Sequence, residues 1–378
     1  MLRAFVLIAG LTATFIAWAQ RPPAVVPADP HIVLEHLPHG YARLMPTSIS
    51  PISAAAPAVS ITRIQQLLTT AAQTGDARLA ARADALLARM PAQAKDPDVL
   101  LARAFSAQHR HDFAAAVALL DTVIAQSPRN AAARLSRAQV QLVRGRLDLA
   151  RADCTALVLG IDAGSGLLCV GMVSLRSGHY TAAAAALDRW LQDSSPADEG
   201  RRYALVMRAE VAARAGDRDA DAWFRRASVL APDDVRTLAA YARYLRGLGR
   251  DREVAALLVT QSSHDGLQLQ RTLAAYRLDP RTAAPLVAIQ ARRFAAAHAA
   301  GSPVELRDEA EFLLVARNDA PAALTLAQAN FRTQRDYEDV TLLQRAAMAA
   351  QRTDALQSLQ AWAVTQHLSL PPTPEVAR

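Results

Sequence analysis

The amino-acid sequence predicts an all-α protein built from short, consecutive pairs of helices. Alanine and leucine dominate the 378 residues, aromatic side chains make up only 5%, and no segment shows the polar and apolar alternation of a strand. Apolar side chains recur instead at helical spacing, most clearly over residues 98–130. A pair of short helices cannot bury its apolar face alone, so we expect copies of the pair to stack on either side.

The segment 98–130 defines the repeating unit. Its first helix places Leu101 and Ala104 on one face, a polar turn follows at His111, and Pro128 ends the second helix. Small residues at the predicted helix crossing, Ala104 and Ala116, allow the two backbones to approach closely. The unit is therefore a helical hairpin with one apolar side.

Turn residues recur at steps of 33 to 38 residues along the chain. They are Gly75, His111, Gly145, Gly178, Gly216 and Gly249. Small residues lie seven places before the last five of these turns, at Ala104, Ala138, Gly171, Ala209 and Ala242, and five places after four of them, at Ala80, Ala116, Ala150 and Ala183. Later turns are predicted at Asp279-Pro280, Asn318 and Gln351. The step favours a 34-residue helical repeat over HEAT or armadillo units, which run to about 40 to 47 residues.

These spacings and small residues resemble the tetratricopeptide repeat, and five consecutive units agree in register. Val254 replaces one of the alanines, the closing proline is present only as Pro128 and Pro232, and leucine mostly stands where the family has a large aromatic residue. The resemblance implies a right-handed α-α superhelix of about nine hairpins. We expect a regular array over residues 61–265 and a degenerate, similar array over residues 266–368.

The two ends of the chain have a different composition. Residues 1–19 combine Arg3, an apolar run and Ala17-Trp18-Ala19, the layout of a secretory signal with cleavage after Ala19. An uncleaved N-terminal anchor is the alternative. Residues 20–60 are proline-rich and predict a linker, and residues 369–378 predict a disordered tail. We therefore expect a periplasmic or secreted protein that contacts a membrane only through the signal sequence before its cleavage.

No motif indicates catalysis or a cofactor. The sequence lacks a phosphate-binding loop, HExxH and GxSxG, so we expect a protein that is not an enzyme. His31, His36 and His39 in the linker could hold a metal weakly, but their spacing belongs to no closed site. A net charge of +7 comes almost entirely from arginine. Scattered arginines without interleaved aromatic residues argue against nucleic-acid binding.

Two cysteines, Cys154 and Cys169, are 15 residues apart and are predicted on neighbouring antiparallel helices. Export makes a disulfide plausible, because oxidising compartments preserve such bonds. Two small buried apolar residues are the alternative interpretation.

The resemblance implies a concave groove, lined by the first helix of each hairpin, that binds a segment of a protein partner. Carried onto this chain, the groove row and its basic neighbours are Phe105, Gln139, Met172, Glu210, Arg243, Arg246, Arg176 and Arg214. The early part of the groove is apolar and the later part basic, which favours an acidic or amphipathic partner. The alternative is that these leucines are core residues and these arginines are solvated.

Two function classes remain open at this stage. The first is a non-enzymatic protein-protein interaction scaffold of the cell envelope. The second is a periplasmic accessory protein that binds a small ligand or a metal through the histidine-bearing linker.

Overall fold

The computed structural model describes residues 60–91, 94–195, 200–259, 264–299, 305–368 and 370, which lie within one compact unit, Ile52–Arg378. These residues form eighteen α-helices and no strand. Consecutive helices pair into nine hairpins, which confirms the predicted all-α superhelix. The predicted signal segment, nearly all of the linker and most of the tail lie outside the described residues.

We number the helices in chain order, so that each hairpin begins with an odd-numbered helix. The first five hairpins contain α1 (Ile61–Thr74), α2 (Ala77–Ala88), α3 (Pro97–His109), α4 (Phe113–Gln126), α5 (Ala131–Val143), α6 (Leu147–Ala156), α7 (Ala163–Arg176), α8 (Tyr180–Asp193), α9 (Gly200–Ala215) and α10 (Ala220–Leu230). The last four contain α11 (Val235–Gly247), α12 (Asp251–Leu257), α13 (Asp265–Leu278), α14 (Pro280–Ala299), α15 (Leu306–Ala316), α16 (Ala320–Phe331), α17 (Tyr337–Ala349) and α18 (Thr353–Thr365).

The turns within eight hairpins share one backbone conformation. The turn residue has a positive φ in each, at Gly75, His111, Gly145, Gly178, Gly216, Gly249, Asn318 and Gln351. This left-handed conformation costs a glycine little, which explains why glycine fills five of the eight positions. Hairpin 7 turns differently, through Asp279 in an extended conformation with φ of −158°.

Acidic and amide side chains begin many of the helices. Asp112, Asn130, Asp234 and Asp319 each accept a hydrogen bond from the backbone N–H three residues later. Such caps satisfy one of the free N–H groups of the first helical turn. Part of the acidic content of the chain therefore sets helix boundaries.

The small residues predicted at the helix crossings are buried. Ala104 and Ala116 have no exposed surface, and a Cβ at Gly171 would lie 2.8 Å from Leu187. Ala80 departs from the pattern: it is only partly buried, and Ala83 is the fully buried alanine of that helix. Small side chains therefore set the close approach of the two helices within each hairpin.

Each hydrophobic cluster joins hairpins that are adjacent in the sequence. One cluster joins hairpins 2 and 3 around Leu120 and Val140, and another joins hairpins 8 and 9 around Leu324 and Leu343. Distant hairpins also meet, because the backbone N–H of Arg335 donates to the carbonyl oxygen of Val143 over 2.7 Å. The superhelix therefore turns far enough to bring the loop between hairpins 8 and 9 against hairpin 3. In the described part of the chain, no helix combines the length and apolarity needed to span a membrane.

Candidate functional site on the inner surface

The predicted groove residues all lie on the first helices of hairpins 2 to 6. Phe105 on α3 is 37% exposed, whereas Met172 on α7 and Arg246 on α11 are each 5% exposed. Gln139, Arg176, Glu210, Arg214 and Arg243 are partly buried. The inner surface is thus most open at hairpin 2 and more enclosed towards hairpin 6.

Arg246 lies in a polar cluster shared by three hairpins. Its Nη1 donates to Oε1 of Gln270 at 2.6 Å and to Oε1 of Glu311 at 3.0 Å. Gln270 also donates to Glu311, at 3.4 Å. Attraction to Arg246 and Arg345 outweighs the opposing effect of burial and lowers the pKa of Glu311. A carboxylate of hairpin 8 is therefore held by an arginine of hairpin 6.

Arg214 makes the corresponding contact between hairpins 5 and 9. Its Nη2 lies 3.3 Å from Oε2 of Glu210 and 3.4 Å from Oε1 of Glu338. The guanidinium also lies over the ring of Tyr337, 3.8 Å from its centroid, a cation–π geometry. Arg214 is thus held between a carboxylate of its own helix and two side chains of α17.

The two carboxyl groups beside Arg214 have pKa values that are shifted in opposite directions. Burial raises the pKa of Glu210 to about 7. For Glu338, attraction to Arg214, Arg243 and Arg307 overcomes burial and lowers the pKa to about 2. The like charges of these neighbours disfavour double ionisation. Glu338 therefore carries the negative charge that pairs with hairpin 5 at neutral pH.

Among the described residues, Arg176 lacks partners for part of its guanidinium group. Its Nε and Nη2 atoms are buried, and no residue that the structure describes accepts a hydrogen bond from them. Burial lowers the pKa of Arg176, although the nearby charges of Asp336 and Glu338 oppose the effect. Arg243 has a different setting, since its charge helps to lower the pKa of both Glu311 and Glu338.

The early part of the inner surface combines an aromatic ring with amide groups. Phe105 is partly exposed there. The Nε2 atom of Gln108, one helical turn away on α3, is buried and has no hydrogen-bond partner within the described ranges. Met172 is already engaged, because its sulfur accepts from the hydroxyl of Tyr203 at 3.1 Å. Hairpin 2 therefore presents a partly exposed ring beside a buried amide nitrogen for which the described residues supply no acceptor.

Cys154 and Cys169 form a disulfide in the structure, with the two sulfur atoms 2.10 Å apart. The bond links α6 to α7 across a π-helical turn, Leu157–Ile161. Gly160 permits this turn with φ of 131°, and Nη2 of Arg129 donates to its carbonyl oxygen at 2.6 Å. Cys154 also lines an open pocket of about 350 Å³, together with Val158 and eight other residues of the same two hairpins.

The acidic partners of the inner arginines were missed by the sequence reasoning. Glu311 and Glu338 lie on the first helices of hairpins 8 and 9, near the acidic starts typical of helices. Nothing in the local pattern separates a carboxylate that caps a helix from one that faces a distant hairpin. The contact could be inferred only from the whole array, because each repeat adds a small rotation and the summed rotation brings late hairpins against early ones.

Metal ligands are not gathered in the described part of the chain. No group of three histidine, cysteine, aspartate or glutamate side chains there has the arrangement of a metal site. The linker histidines His31, His36 and His39 lie outside the described residues.

Comparison with known proteins agrees with this geometry. A tetratricopeptide-repeat family model matches residues 107–154. The chain is similar to a solved structure of the APC/C heterotetramer Cut9–Hcn1, with 13% identity, a TM-score of 0.50 and coverage of 80% of this chain and 59% of that one. It is also similar to a tetratricopeptide-repeat protein from Parabacteroides merdae, with 15% identity, a TM-score of 0.39 and coverage of 67% and 99%.

The chain thus spans less than two thirds of the Cut9–Hcn1 chain that it matches, and comparison with curated proteins finds no match. The family match covers parts of hairpins 2 and 3, where the helix crossings follow the repeat most closely. Together with the nine stacked hairpins, it identifies the fold of this chain as the all-α superhelix of tetratricopeptide-repeat proteins.

Proposed function

We propose that this protein is a non-enzymatic scaffold that binds a segment of a protein partner on the inner surface of its superhelix. Proteins of this fold typically act as interaction scaffolds, and their extended concave surfaces suit a peptide or a helix. Function assigned from a fold alone is an analogy. The proposal therefore rests on a feature of this chain's own inner surface.

That feature is a set of buried donors without acceptors. Nε2 of Gln108 and two nitrogen atoms of Arg176 are buried on inner helices, and the described part of the chain supplies no acceptor for them. A buried polar group left unpaired costs about 1–3 kcal/mol. The carbonyl and carboxylate oxygens of a bound peptide are acceptors that would remove this cost, and Phe105 offers an apolar contact beside Gln108.

The proposal also covers the compartment in which this protein acts and the chemistry of its partner. The signal-like composition of residues 1–19 supports a role in the cell envelope, either periplasmic or secreted. The arginines at positions 176, 214, 243 and 246 support a partner segment that is acidic, or amphipathic with an acidic end.

Site-specific photocrosslinking in intact cells tests the binding surface. A photoreactive residue at Phe105 or Gln139 is expected to give the same discrete adduct, because both positions lie on the inner helices. The control is Ala118, an exposed position on α4, which is expected to give none. Equal adducts from all three positions, or no adduct from the inner two, would overturn the proposal.

A further inference from the structure

Two oppositely charged sets of side chains face each other inside the superhelix. Hairpins 4 to 6 supply arginines, and hairpins 8 and 9 supply carboxylates. The two direct contacts are Arg214–Glu338 at 3.4 Å and Arg246–Glu311 at 3.0 Å. They join residues that are far apart in the sequence. They therefore depend on the curvature of the whole superhelix rather than on the structure of any single hairpin.

The described contacts between these two regions include two ion pairs and the stacking of Arg214 on Tyr337. The hydrophobic cluster of hairpins 8 and 9 is separate from the clusters of hairpins 3 to 6. Leu368, after the last helix, is the residue from the C-terminal end that packs against the cluster of hairpins 3 to 5. Charged groups regain their hydration when they separate into water, whereas exposure of apolar surface there costs free energy. A charged contact of this kind therefore separates at lower cost than a hairpin from its neighbour.

The closed arrangement also leaves arginine donors unused. Nε and Nη2 of Arg176, and Nε of Arg246, are buried and find no hydrogen-bond partner among the described residues. Arginine binds carboxylates best through two parallel hydrogen bonds, whereas Arg246 offers Glu311 only its Nη1. The internal carboxylates therefore fit the arginine surface imperfectly.

We propose that hairpins 8 and 9 act as a displaceable lid: the carboxylates of α15 and α17 occupy the arginine surface of hairpins 4 to 6, and an acidic partner segment binds by replacing them. This inference rests on the proposed scaffold function and adds to it the control of access. The replacing segment carries at least two carboxylates, because Arg214 and Arg246 each hold one in the closed state. The replacing segment also accepts hydrogen bonds from the unused donors of Arg176, which favours its binding over that of the internal carboxylates.

The first arm of the test measures opening. The full chain carrying Glu311→Lys and Glu338→Lys is compared with a matched control carrying Asp148→Lys and Asp354→Lys. The control residues are exposed, with side chains 85% and 63% accessible, and the two proteins have the same net charge. We expect faster amide hydrogen exchange across α9, α11 and α17 and a larger radius of gyration only in the first protein. Glu311→Gln with Glu338→Gln serves as a milder pair that removes the attraction without adding repulsion.

The second arm measures binding of a decameric glutamate peptide, with a decameric glutamine peptide as the neutral probe. We expect the open variant to bind the acidic peptide at least fivefold more tightly than both the unmodified chain and the control variant. The neutral peptide is expected to show no such preference. Added salt should weaken the acidic peptide's binding, because both partners are charged.

The outcomes separate the lid from the scaffold function. Faster exchange together with tighter binding supports the lid. Unchanged exchange in both variant pairs overturns it, and so does equal binding of the acidic peptide by open and unmodified chains, which leaves the inner surface as a binding site. If the variants open and neither they nor the unmodified chain bind the acidic peptide, the acidic-partner function fails and the lid fails with it.

Discussion

The contacts between adjacent hairpins and the contacts across the superhelix differ in chemistry. Adjacent hairpins share fully buried apolar side chains such as Leu120, Leu187 and Phe224. Across the interior, the contacts include ion pairs between arginines and carboxylates, such as Arg214 with Glu338. The apolar contacts hold neighbouring hairpins together, since buried apolar groups supply most of the folding stability. The contacts across the interior determine whether it is accessible to a partner.

The largest expected effect tests the apolar contacts between hairpins. Phe224 on α10 is buried and stacks on Tyr241 of α11, with ring centroids 5.2 Å apart. Replacing it with alanine leaves a cavity, and we expect the free energy of unfolding to fall by about 3–5 kcal/mol. Chemical denaturation measures this loss.

Val229→Ala on the same helix is the control for that substitution. Its side chain is 83% exposed, so the free energy of unfolding should change by less than about 0.5 kcal/mol. Similar losses in both variants would contradict the distinction between buried and exposed faces of α10.

The disulfide gives the next largest effect. In the chain-entropy model, a loop of this length constrains the unfolded chain by about 3 kcal/mol. Reductant should therefore lower the melting temperature of the unmodified chain, and should leave a variant with Cys154→Ala and Cys169→Ala unchanged. A melting temperature of the unmodified chain that does not respond to full reduction would show that the bond does not form in solution.

Glu210→Gln tests the charged interior through its pH dependence. Glu210 faces Arg214, Arg243, Glu338 and Asp336, and its folded-state pKa of about 7 lies above its usual value of 4.5. The folded protein therefore resists ionisation of Glu210, so stability is full below pH 4.5 and falls as the pH rises through 7. Glutamine does not ionise, and we expect the variant to melt at a higher temperature than the unmodified chain at pH 8.

The same two proteins should melt alike at pH 4, where the carboxyl group is protonated in both the folded and the unfolded state. A gain in stability of equal size at pH 4 and pH 8 would assign the effect to packing rather than to ionisation of Glu210.

The smallest expected effect concerns the turns. Gln351 has φ of 56°, a conformation that most side chains adopt at some cost. Gln351→Gly should stabilise hairpin 9 by up to about 1 kcal/mol, because the relief of strain exceeds the added flexibility of the unfolded chain. Thermal unfolding checks the gain. Gly178→Ala should have the opposite sign, since the glycine φ of 76° becomes strained.

The sequence predicted the parts of the fold that local patterns determine. Turn residues such as Gly145 and Asn318 are of types that adopt a positive φ, and the structure has a positive φ at both. Alanines such as Ala138 were predicted at the helix crossings and are buried there. The contacts of Glu311 and Glu338 could not be predicted in this way. They depend on small rotations between successive hairpins that accumulate over the whole array, and no single repeat encodes that sum.

The disulfide between Cys154 and Cys169 has a mechanical consequence for the spiral. It links hairpin 3 covalently to hairpin 4. These two hairpins therefore cannot move apart at the disulfide unless a covalent bond breaks. The shortest described α-helix is α12, with seven residues, and it lies between this joint and the last two hairpins. Any widening of the described spiral must therefore take place at joints other than the one between hairpins 3 and 4.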